Sequence, residues 1–168
     1  MPGKARDISV GSEGSVYAIG WSKEKKGGNQ VLKWNGKAWV RKSGQGFRIA
    51  VDNKGKPWVV TRRHKVFRKL EKGWERVKGS LDDIAIGPEG SVIGVRQKRG
   101  VWKYHAQKNK WYKIGKFGLN VSVGPGGQPF VTTRKGTIFW PESVCPSNDP
   151  VPVVSPPVEI VNFKEQSD

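Results

Sequence analysis

The sequence predicts an all-β fold, one antiparallel unit repeated four times, and three observations predict it. A ten-residue frame returns without an internal gap at residues 8–17, 49–58, 84–93 and 121–130. Every copy opens on an apolar, a small and another apolar residue, as in Ile8-Ser9-Val10, and carries glycine at its seventh position: Gly14, Gly55, Gly90 and Gly127. The starts lie 41, 35 and 37 residues apart, the period at which one supersecondary unit stacks on copies of itself. Behind the frame stands a second signature, an apolar pair, a short polar turn and a tryptophan, in each of the first three copies.

The elements follow in order. In the first copy the glycine turn joins two short strands. Val31-Leu32-Lys33-Trp34-Asn35-Gly36-Lys37-Ala38-Trp39-Val40 supplies two more, because Asn-Gly between apolar runs is a strong hairpin signal. The second copy repeats this from Val66-Phe67 to Trp74 and Val77, and the third from Val101-Trp102-Lys103-Tyr104 to Trp111 and Ile114. Four antiparallel strands in about 40 residues make one blade of a β-propeller. The fourth copy breaks off, because Ile138-Phe139-Trp140 runs straight into Pro141; its outermost strand is expected to be missing or supplied from elsewhere. The expected fold is therefore a β-propeller-like array of about four antiparallel four-stranded blades, near residues 7–45, 47–79, 82–116 and 119–141, within a domain of residues 1–141. Residues 142–168 are expected to form an extended, acidic, proline-rich tail. In it, Val158-Glu159-Ile160-Val161-Asn162-Phe163 is a candidate strand, one that completes the fourth blade or pairs with a partner.

With 35% hydrophobic residues, 168 residues can fill one domain with a core. The formal charge of +17 divides into +21 over residues 1–141 and −4 over the tail, a field that draws polyanions. No stretch reaches the roughly 18 apolar residues of a membrane span, and the N-terminus lacks the apolar core of a secretory signal; a cytoplasmic protein is expected. The single Cys145 makes no intramolecular disulfide and no metal site by itself. Catalysis finds little footing. His64 and His105 stand 41 residues apart with no ligand cluster around them. Gly124-Pro125-Gly126-Gly127 lacks the Lys-Ser/Thr pair and helix of a phosphate loop. A non-enzyme without cofactor or metal is expected.

Three stretches carry a family resemblance: Pro2-Gly3-Lys4-Ala5-Arg6-Asp7-Ile8-Ser9-Val10-Gly11, Val31-Leu32-Lys33-Trp34-Asn35-Gly36-Lys37-Ala38-Trp39, and Arg48-Ile49-Ala50-Val51-Asp52 with Gly55-Lys56-Pro57-Trp58-Val59-Val60. Over about residues 2–140 the chain resembles tectonin-type β-propellers, related to tachylectin-1 and fish egg lectin. The resemblance implies a non-enzymatic recognition module, either a lectin for lipopolysaccharide and other glycans or an intracellular adaptor. Such propellers usually have six blades, whereas this sequence supplies between three and four. Closure on itself, a homodimer and a partner-completed ring all stay open.

Two sets of residues are site candidates. Trp39, Trp74 and Trp111 recur at one place in their blades and read as packing residues between neighbouring sheets. Trp21 lies outside that pattern, beside the basic stretch 23–26, and is the better candidate for ligand contact. Basic loops at 23–26, Arg62-Arg63-His64-Lys65, Arg96-Gln97-Lys98-Arg99 and Arg134-Lys135 hold equivalent places between the second and third strands of their blades. They are expected to line one rim, with Lys25, Lys26, Arg62, Arg63, Arg96, Arg99, Arg134 and Lys135 meeting phosphates, sulfates or carboxylates. The competing reading is a solvated face that blunts strand edges. The partner expected is an anionic glycan, or else an acidic protein surface. That second case is a scaffold locked into an intracellular assembly such as a ciliary microtubule. Physiological nucleic-acid binding is not expected, since no helix is on offer for a major groove and no stacking-module motif is present.

Overall fold

The computed structural model describes residues 3–23 and 28–139. Lys25, Lys26 and the tail, with its candidate strand at 158–163, lie outside the described residues. What is described is four antiparallel sheets side by side. The first blade is β1 (Ala5–Val10), β2 (Val16–Lys23), β3 (Asn29–Trp34) and β4 (Trp39–Gly46). The second is β5 (Arg48–Val51), β6 (Pro57–Val60), β7 (Lys65–Leu70) and β8 (Gly73–Ser80). The third is β9 (Asp83–Ile86), β10 (Val92–Arg96), β11 (Gly100–His105) and β12 (Lys110–Gly115). Among the described residues the fourth has three strands, β13 (Asn120–Val123), β14 (Pro129–Thr132) and β15 (Ile138–Phe139). Each sheet is a simple meander in chain order, as short turns between antiparallel strands demand.

The frame glycines explain the regularity. Gly14, Gly55, Gly90 and Gly127 all have positive φ, from 69 to 94°, a region that costs a residue with a Cβ. Each donates its N–H to the carbonyl three residues back at 2.9–3.1 Å, closing the same turn four times. In the second hairpin of blade one, Gly36 again has positive φ (94°). There Asn35 Oδ1 accepts from the N–H groups of Lys37 and Ala38, the self-bonding that suits Asn to turns.

Three apolar clusters sit at the three junctions between blades. Tyr17, Ile19 and Val31 pack on Ile49, Val51 and Val59 at junction 1–2. Trp58, Val60, Val66 and Val77 meet Leu81, Ile84, Val92 and Tyr104 at junction 2–3. Ile93, Val95 and Val101 meet Val131 at junction 3–4. Backbone approach at these junctions is close. A Cβ on Gly46 would press on Ile19 and Val59, and one on Gly118 on Val95 and Val131. Junction 2–3 reverses the arrangement: Leu81 stands where Gly46 and Gly118 stand in the repeat, and it fills the space over Gly94, where a Cβ would collide with it.

The recurring tryptophans fasten the first three blades to the segment that leads into them, which for the second and third is the last strand of the blade before. Trp39, Trp74 and Trp111 lie against Gly3, Gly44 and Gly79, each five residues ahead of a frame, and all three glycines have positive φ. Trp74 also donates its Nε1 proton to the Ser43 carbonyl at 3.0 Å. In the fourth repeat the glycine position holds Lys116, in the copy whose sequence lacks a closing tryptophan hairpin.

Candidate functional site

The second-to-third-strand loops and the connections between blades converge at one end of the array. Blades two to four are joined there by side chains. Asp82, on the connection entering blade three, takes His64 Nδ1 at 2.8 Å from the loop of blade two. It also takes Arg96 Nη1 at 2.5 Å and the Gln97 N–H at 2.6 Å from the loop of its own blade. Gln97 Oε1 then accepts from Arg134 Nη2 at 2.9 Å, reaching blade four. His64 has φ of 63°, where the equivalent turn of blade four uses Gly136 at 78°. A histidine is held in the left-handed region with its ring on Asp82, so the loop carries a small strain alongside that bond.

An aromatic and cationic stack continues the rim toward blade one. The Arg6 guanidinium lies 4.7 Å from the Trp21 ring and 5.6 Å from that of Phe47. Arg62 and Arg48 lie 4.9 and 5.4 Å from the same Phe47 ring. Arginine planes stack readily on aromatic faces, and here one phenyl ring gathers three of them. Trp21 is 57% exposed. Its backbone is fixed by buried Asn29, whose amide donates to the carbonyls of Gly20 and Trp21. Between Phe47, Arg62, Thr61, His64, Gln97 and Asn120 opens a cavity of about 510 Å³.

A second cavity, of about 300 Å³, lies between the innermost strands β1, β5, β9 and β13, and it shares Arg48 and Asn120 with the first. The residue before each frame faces it: Asp7, Arg48, Asp83 and Asn120. Asp7 Oδ2 accepts from the Ile49 N–H at 2.8 Å, and Asp83 Oδ2 from the Val121 N–H at 3.1 Å. Arg48 Nε stands 3.6 Å from Asp83 Oδ1. Burial pushes both carboxyls above the ordinary aspartate value, against the pull of these hydrogen bonds and of Arg48.

A Tectonin domain model matches residues 47–150. The chain belongs to the Tectonin family. Tectonin-2 of Physarum polycephalum is 28% identical along a 137-residue alignment that covers 68% of this chain and 38% of that protein; the chain thus spans well under half of its relative. Among solved structures, PorZ, a bacterial surface component of the type-IX secretion system of Porphyromonas gingivalis, superposes with a TM-score of 0.57 at 17% identity, over 76% of this chain and 23% of PorZ. YCF48 bound to D1 peptide superposes at 0.51 and 14% identity, over 81% and 48%. At such identities the likeness is one of fold, and it places this all-β array among β-propeller-like domains.

The structure puts the candidates in different situations. Arg62 lies on the aromatic stack, Arg96 is engaged by Asp82, and Arg134 holds Gln97. Arg63, Arg99 and Lys135 are exposed on the same three loops. Trp21 joins the group through Arg6. Arg6, Phe47, Arg48, Thr61 and Gln97 were not among the site candidates read from the sequence. For Arg6, Phe47 and Arg48 the signal lay just upstream of the frame, where the pairs Arg6-Asp7, Phe47-Arg48, Asp82-Asp83 and Leu119-Asn120 differ from copy to copy. Asp82 anchors two loops, and Asp83 forms the clasp between two blades.

Proposed function

We propose that this Tectonin domain is a non-catalytic recognition module that binds an anionic glycan at its basic rim. One observation carries the reading: the 510 Å³ cavity brings Arg62 and Arg48, the Phe47 ring and the polar groups of Thr61, His64, Gln97 and Asn120 around one space. A sugar acid needs a guanidinium for its carboxylate or sulfate and polar groups for its hydroxyls, and the Phe47 ring holds the arginines that supply the first beside the side chains that supply the second. Asp82 also lines the space, but Arg96, His64 and Gln97 occupy its oxygens, which takes it out of contention as a free acid or base. Screening the full chain on an array of acidic and neutral glycans tests the reading. Acidic glycans should bind, and Arg62→Ala should weaken them at least tenfold; equal binding of neutral ones would overturn it.

A second reading, a scaffold docked into an intracellular assembly, is supported by a separate observation. Ile8 and Val10 are 57% and 62% exposed on β1, whereas their equivalents Ile49 and Val51 are 4% and 3% exposed behind blade one. That face matches what another blade would cover, from a second copy or from a partner. A mass above one chain by light scattering, lost in Ile8→Lys, supports this reading; a monomer in both counts against it.

A further inference from the structure

A third opening on the same rim lies between the loops of blades three and four. Its volume is about 530 Å³, and it is lined by Phe117, Lys98, Thr133, Arg134, Lys135 and Thr137 among others. Phe117 is 63% exposed, and the repeat itself supplies the control for that observation. Four residues ahead of each frame the other copies carry Lys4, Gln45 and Ser80. The blade architecture therefore asks for a polar residue at that place, and the phenyl ring is specific to this groove. The next residue must be glycine, because a Cβ on Gly118 would press on Val95 and Val131; the chain passes tight over the core and leaves the ring of Phe117 outward. Three cations and two threonines surround it. Arg134 is steadied by Gln97, and the Lys135 N–H is bonded to Thr133 Oγ1.

We propose that this groove is a separate binding site for an amphiphilic anion of small-molecule size. Its ligand has a flat or extended apolar part that lies on Phe117 and a carboxylate, sulfate or phosphate held by Lys98, Arg134 and Lys135. Neither half suffices alone. A lone exposed ring on a wet surface holds an apolar group weakly, and three exposed cations hold a bare anion weakly at physiological salt. Together they select ligands that carry both parts.

The test uses the full chain and three probes: naphthalene-2-sulfonate, the uncharged 2-naphthalenemethanol and inorganic sulfate, titrated by calorimetry at 0.15 M salt. The sulfonate is expected to bind at least ten times more tightly than either other probe. Phe117→Ser, which installs the residue of the third repeat at an exposed site, should remove that advantage, and Lys98→Gln should lower sulfonate affinity about threefold or more without changing that of the alcohol. Far-ultraviolet circular dichroism and melting of both variants should match the wild type. Sulfonate binding that survives Phe117→Ser, or an alcohol that binds as well as the sulfonate, overturns the proposal.

Discussion

Junction 2–3 and its two neighbours solve one packing problem in opposite ways. At junctions 1–2 and 3–4 a glycine, Gly46 or Gly118, lets the next blade approach, and an aspartate, Asp7 or Asp83, reaches across to the N–H of Ile49 or Val121 in the next inner strand. At junction 2–3 the glycine is replaced by Leu81, which is 2% exposed and seated over Gly94, and the crossing contact is the ion pair of Arg48 with Asp83. Copies one and three therefore resemble each other, as do two and four. The odd blades also share a glutamate, Glu13 or Glu89, placed against the turn glycine of the blade that follows, Gly55 or Gly127. The unit of design is a pair of blades joined by a polar clasp, and the two pairs meet through an apolar plug.

The plug should be the most sensitive point. Leu81→Ala is expected to cost about 3 kcal/mol in denaturant unfolding, through lost burial and the cavity left behind. Gly94→Ala should cost about 1–3 kcal/mol by overpacking the same space. The double variant should cost clearly less than the sum, because the new methyl occupies room that Leu81 has vacated; strict additivity would mean that the two residues do not share one space.

Breaking a clasp should cost less. Asp83→Ala leaves the Val121 N–H and Arg48 without their acceptor and is expected to cost about 2 kcal/mol, with Asp7→Ala similar. A negligible effect at both would show that the clasps orient blades without stabilising them. The pH response then gives the sign of the charge. Folding raises these pKa values above the ordinary 3.8, so the folded state holds the proton more tightly than the unfolded one. The stability due to each group is full below about 3.8 and is lost as pH rises through the raised value. The stability of wild type relative to Asp83→Asn should thus fall from pH 3.5 toward neutrality. A relative stability that rises with pH would mean that the pairing of ionised Asp83 with Arg48 outweighs its burial. Smallest of all, Glu71→Gln removes an exposed partner of Lys56 at the surface of blade two, and its melting midpoint should not differ from wild type; surface pairs of this kind contribute little.

The fold was legible because the frame records backbone need: glycine where φ is positive, apolar residues where strands face inward, tryptophan where a sheet gap is filled. Those demands repeat, and repetition is readable without a structure. The alternation of junctions was harder to read. It depends on which residue one blade places opposite which residue of the next, as with Leu81 over Gly94, and residues 81 and 94 carry no shared local pattern. The rim was half legible. Arg62, Arg96 and Arg134 stand out as charges in equivalent loops, but charge alone does not say that Arg96 is engaged by Asp82 while Arg62 lies on Phe47. Aromatic and arginine residues just ahead of a frame look like ordinary strand entry until the blades are set side by side.

The tryptophan-on-glycine contact has a consequence for how such a chain can be cut and copied. Residues 3–39, 44–74 and 79–111 each contain both halves of one lock. A segment excised at those limits, duplicated or moved to another array, carries its own fastening to whatever strand end precedes it, whereas a cut between the two halves separates ring from seat. The reading frame for recombination is thus offset from the blade. For the second and third segments it starts inside the last strand of one sheet and ends at the opening of the last strand of the next, so each of them carries with it a piece of the blade before.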